Sequence, residues 1–188
     1  MKNSTFCYSL IFLCAGFCCP GENEYENRIY NFEQEDLIQV LDSETNFNLN
    51  DTIWIKTEVP VELELEGQDL NLSEITGNAQ AINIPLGFYQ LTNFDNPLEV
   101  VLSENEIVNK TGETSTTYGI QAKGFLEGNR FIKEFGIILK QPGNFIISSS
   151  YQLNANNLYV NSQNYTSVSI KTTFKDGENP QEYRITVE

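Results

Sequence analysis

Histidine is absent from the chain, and this absence excludes more than any other feature of the composition. Without an imidazole there is no Ser–His–Asp or Cys–His catalytic set, and no His-ligated zinc or haem. Cysteine is nearly as restricted. All four (Cys7, Cys14, Cys18 and Cys19) lie in the first nineteen residues, so the rest of the chain must fold without disulfides. Positive charge is scarce: 11 Lys and Arg stand against 26 Asp and Glu, a net charge of −15. A nucleic-acid reader needs a basic face, so nucleic acid is not an expected partner. There is no glycine-rich phosphate loop, and after residue 19 no segment of twelve residues keeps a helical apolar period.

What the chain does have is 40% apolar and 12% aromatic residues over 188 positions, enough to fold around a core. Lys2 precedes an almost unbroken apolar stretch from Phe6 to Cys19, the n-region and h-region of a secretory signal. Fourteen helical residues would span roughly 21 Å, short of the ~30 Å hydrocarbon core, which disfavours a permanent membrane helix. Residues 1–19 are therefore expected to be a signal peptide. Residues 20–35 read as an acidic, flexible tether, and 36–188 as a single β-domain.

The Cys18-Cys19 pair at the processing boundary, followed by PGENEYEN, resembles a bacterial lipoprotein signal, in which the first mature cysteine carries a diacylglycerol. Cleavage after Gly16, releasing a soluble protein, is the alternative. With the strand-like NDTIWIKTEV (Asn50–Val59) and the Asn-rich composition, these features resemble small β-rich lipoproteins of Bacteroidota. The resemblance implies lipidation at Cys18 or Cys19 and attachment to the cell envelope, at the outer membrane or cell surface. It also implies that Glu22, Glu24 and Glu26 act as a surface-export signal. A periplasmic or secreted soluble protein is the corresponding alternative.

Along the mature chain the dominant period is two. Ile53, Ile55, Thr57 and Val59 fall on one face of a strand, with Thr52, Trp54, Lys56 and Glu58 on the other. After Pro60, Val61, Leu63 and Leu65 alternate with glutamates, which discourage edge-to-edge aggregation. Leu70, Leu72 and Ile75 allow one helical turn, and Ala81–Ile84 reads as a brief strand ended by Pro85. Segments 116–126 and 130–140 flank Glu127-Gly128-Asn129, a glycine-containing hairpin loop. Pro142-Gly143 suits a type II turn into a third strand at 145–151, making a three-stranded meander. Segments 158–160, 165–174 and 183–187 add more strands. About eight to ten short strands with turn chemistry between them predict an all-β, antiparallel sandwich, immunoglobulin-like in style.

The acidic residues are unevenly distributed, 14 against 2 basic over 22–69 and 12 against 8 over 70–188. This serves solubility or an interaction face. Nothing in their spacing singles out a catalytic pair, so the chain is read as no enzyme, with no cofactor and no metal. Asp176-Gly177-Glu178-Asn179 and Asp95-Asn96 are oxygen-rich enough for calcium, but turns demand the same residues. Asn50, Asn71, Asn109 and Asn164 begin N-x-S/T triplets, and Asp51-Thr52-Ile53 has a bacterial O-glycosylation pattern. The expected role is a lipid-anchored structural or interaction module with a protein or glycan partner. One alternative is a glycan-binding accessory protein using Trp54, Tyr151, Tyr159 and Tyr165. A small carboxylate-dependent hydrolase is the second.

Overall fold

The computed structural model describes residues 27–94, 96–149 and 156–188. Strands β1 (Arg28–Glu33), β2 (Ile38–Val40), β3 (Asn46–Phe47), β4 (Thr52–Pro60), β5 (Glu62–Leu65) and β6 (Gln68–Asn71) precede helix α1 (Leu72–Ile75). Then come β7 (Ala81–Leu91), β8 (Pro97–Glu99), β9 (Ile107–Thr111), β10 (Glu113–Ser115), β11 (Ile120–Glu127) and β12 (Arg130–Ile138). The chain ends with β13 (Gly143–Ser149), β14 (Asn156–Val160), β15 (Thr166–Thr172), β16 (Phe174–Lys175) and β17 (Glu182–Val187). The fold is all-β, as the period-two pattern requires.

Fifteen strands belong to one curled sheet, and β5 and β6 form a separate hairpin. The main path runs β1-β15-β14-β7-β11-β12-β4-β2-β16. Its two ends are the same pair of chain segments, because β1 and β2 run side by side with β15 and β16. Between the paired strands, Gln34 N–H donates to Lys171 O at 2.9 Å, and the Asp36 and Leu37 amides donate to the hydroxyls of Thr173 and Thr172. The ladders thus return to where they began, and closure of this kind removes exposed edges. One continuous curled sheet supplies the walls around the core.

The structure departs from the sequence-based expectations in four places. Residues 28–33, read as part of the tether, form β1, and Phe32 is buried in the core. Its pairing with β15 is parallel, as are those of β2 with β16 and β3 with β17, so the sheet is mixed. No hairpin turn constrains segments so distant in sequence to run antiparallel. Pro85 does not end its strand, since β7 continues to Leu91. On one edge of β7, β11 pairs with residues 81–86; on the other, β14 takes 82–83 and β13 takes 86–90. Pro85 falls in the gap between β14 and β13, where no ladder asks for its missing N–H.

The expected meander also breaks at its second turn. β11 and β12 do form a hairpin, Glu127 opposite Arg130, with Gly128 at φ 64° in the first loop position as a type II′ turn requires. The Pro142-Gly143 corner instead carries the chain away from β12, and β13 pairs with β7 and β17. Gly143 at φ 140° supplies an extended backbone that an L-residue rarely adopts.

β4 alternates along its whole length, with Ile53, Ile55, Thr57 and Val59 buried and Trp54, Lys56 and Glu58 on the outer face. The core gathers side chains from the whole ring, among them Phe131, Phe135, Phe145, Phe174 and Ile170.

Candidate functional site

The hairpin of β11 and β12 is zipped only near its turn, over 125–127 and 130–132. Beyond that the two strands splay, and the β9–Gly112–β10 segment fills the gap. β9 pairs with β12 over 134–137, and β10 pairs with β11 over 121–123. Gly112, at φ 66°, makes the sharp turn. A Cβ there would come within 2.1 Å of the Lys123 carbonyl oxygen, so only glycine fits.

At the apex of this wedge sits Lys133. It alternates in phase with Phe131, Phe135 and Ile137 and is 0% exposed. Its Nζ donates to Asn109 Oδ1 at 2.5 Å and to Thr111 O at 2.8 Å. The Thr114 hydroxyl donates to the same Asn109 oxygen at 2.6 Å. Burial pulls the Lys133 amine down to about 8, opposed by the charge of Glu113. Its register partner on β4 is Thr57, whose hydroxyl is buried and makes no hydrogen bond among the described residues. The sequence reading missed Lys133, although FIKEFGII put it in phase with the apolar face.

Trp54 lies on the opposite, outer face of the same wall. Its ring packs beside Gly136, where an added Cβ would approach to 3.0 Å, and Lys110 Nζ stands 3.9 Å from the ring centroid. Lys110 is also paired with Glu134 at 2.5 Å. Nearby Glu58 is bridged by Lys56 at 2.6 Å and Arg130 at 3.0 Å. The hydrogen bond from Lys56 leads in holding the Glu58 carboxyl below its ordinary range, with burial opposing and the charges of Lys56 and Arg130 adding to it.

Trp54 is on β4, and the described tyrosines Tyr159 and Tyr165 are on or next to strands that do not pair with it. Tyr159 is on β14, which does not neighbour β4 in the sheet. Tyr165 precedes β15, beside Arg28, Tyr30 and Asn164. A sugar ring stacking on Trp54 would first have to displace Lys110. Tyr151, Cys18 and Cys19 lie outside the described residues, as do Glu22, Glu24 and Glu26.

Besides the concavity of about 390 Å³ beside Tyr165, two others of similar volume lie among the described residues. One, of about 360 Å³, is lined by Asp176, Glu178, Glu182, Tyr183, Arg184 and neighbours. The Glu182 carboxylate is already held by Arg184 at 2.7 Å. The Asp176–Asn179 turn is held by local bonds, with Gln181 N–H donating to Asn179 Oδ1. Among the described residues no three Asp, Glu, Cys or His side chains converge as metal ligands.

The other, of about 420 Å³, is a groove between residues 99–102 and 116–120. It lies along the edge of β7 where β11 has ended at Leu86 and β8 begins at Tyr89. Phe88 is among its lining residues, and Val101 (85% exposed) and Tyr118 (79%) present apolar surface on its two sides. Isolated exposed apolar residues are ordinary, but two flanking a groove that mixes apolar walls with Glu99, Thr116 and Thr117 are the composition of a binding surface. Leu98 on β8 and Phe94 are also exposed. Among the described residues no helix is long and apolar enough to cross a membrane. No family model matches this chain, and a search of curated proteins returns no match.

Proposed function

We propose that the chain is an exported, lipid-anchored, non-enzymatic interaction module of the bacterial envelope. It receives an apolar segment of a protein partner in the groove between residues 99–102 and 116–120. One observation carries this reading: the start of β1 and the groove lie toward opposite ends of the sheet. Tyr30 is level with Val168, Val160 and, through them, Ile82 at the beginning of β7. The groove is level with Leu86–Phe88, four to six residues further along β7, about 13–20 Å at ~3.3 Å per residue. An anchor at Cys18 or Cys19 would join Arg28 through nine or ten residues that span at most about 36 Å, putting the start of β1 nearest the membrane and the groove further from it. Val101 and Tyr118 then meet a partner instead of lipid.

Two measurements test this. A palmitate analogue fed to the native host is expected to label the protein and to lose that label when Cys18 and Cys19 are both changed to Ala. Persistent labelling refutes the anchor site. A photo-crosslinking amino acid at Tyr118 is expected to give a discrete protein adduct in cells that Val101→Glu abolishes, whereas the same probe at Lys56 gives none. Adducts equal at both positions, or none at Tyr118, refute the groove.

A further inference from the structure

We propose that Lys133 and Asn109 join in an intramolecular isopeptide bond, making the β9–β10 wedge a covalent staple in a domain whose cysteines all precede residue 20. The parts stand in place. Lys133 Nζ donates to Asn109 Oδ1 at 2.5 Å, one bond from the Cγ it would attack, on neighbouring strands whose register holds them there. Asn109 is opposite Phe135, two residues from Lys133 on the same face of β12. The ladder between β9 and β12 shifts register at this point, leaving Lys110 unpaired between Asn109 and Thr111. The side chains of Asn109 and Lys110 therefore separate, one to Lys133 and the other to Trp54.

The step balances without any co-reactant. The neutral Lys133 amine attacks Cγ of Asn109, forming the Nζ–Cγ bond. The Cγ–Nδ2 bond then breaks, the proton lost from Nζ passes to the departing nitrogen, and ammonia leaves. In the tetrahedral intermediate the negative charge sits on Oδ1, which already accepts the Thr114 hydroxyl at 2.6 Å. A fixed donor at the developing oxyanion is the arrangement that acyl-transfer sites use. The amine is enclosed in the protein, with the Phe135 ring centroid 5.3 Å away, and a desolvated lysine is the nucleophilic form. With its pKa near 8, roughly a tenth of the amine is neutral at pH 7. Asn109 keeps an exposed side, which gives ammonia a way out.

The test is peptide mapping of the full purified chain, before and after incubation at pH 8.5. The expected result is a cross-linked peptide containing residues 109 and 133, lighter than its two components by one ammonia. The yield rises with pH between 7 and 8.5. Asn109→Ala and Lys133→Met each reduce it to zero; if Lys133→Met fails to fold, Asn109→Ala at its exposed position still decides. Full recovery of the two separate, unmodified peptides after incubation overturns the proposal. So does a cross-linked species that survives Asn109→Ala.

Discussion

Gly112→Ala tests the wedge most directly. The residue sits at φ 66°, and a methyl there would meet the Lys123 carbonyl oxygen at 2.1 Å and the Lys133 Cδ at 3.0 Å. Two costs add. Forcing an L-residue into the left-handed region costs about 1–2 kcal/mol. Displacing a backbone carbonyl within an ordered ladder costs about 1–3 kcal/mol more, as overpacking does. Gly67→Ala is the control: it sits at φ 80° in the tight β5–β6 turn, but its Cβ would meet nothing within 4 Å. That variant bears only the first cost. Urea unfolding followed by the fluorescence of the single tryptophan is the assay. With a slope of about 2 kcal/mol per molar, the Gly112 midpoint should fall by about 1–2.5 M and the Gly67 midpoint by under about 1 M. Equal shifts for the two variants would refute the close approach of Gly112 to β11, and with it the wedge geometry around Lys133.

The remaining predictions concern the first strand and the outer face. Phe32→Ala should cost about 3–5 kcal/mol by chemical denaturation, because its ring is buried in the core; a residue in a solvated tether would cost nothing. Lys110→Ala should remove about 0.5–1 kcal/mol and red-shift the Trp54 emission, since the ammonium covers the ring. Glu58 has a carboxyl pKa lowered in the folded state, so its contribution is present above the unfolded carboxylate pKa and lost as pH falls through the folded value. Glu58→Gln should therefore flatten the acid limb of stability below about pH 4.5, by less than about 1 kcal/mol for so accessible a site.

Local chemistry wrote much of this protein into its sequence. The alternation in 52–59 assigned each side chain of β4 to core or solvent, and Gly128 marked the hairpin turn, because period and turn preference act over a few residues. The same alternation put Lys133 on the apolar face, although the residues that receive its amine, Asn109 and Thr111, are more than twenty positions away. Those partners were settled only when β11 and β12 splayed and β9 entered between them. Tertiary structure also made a core strand of residues 28–33, through parallel ladders to a segment 138 positions later. It likewise let β7 run through Pro85 and sent β13 across to β7 instead of back onto β12. Pairings of this kind depend on which edges remain open once the whole chain has collapsed, and no short window of sequence carries that information.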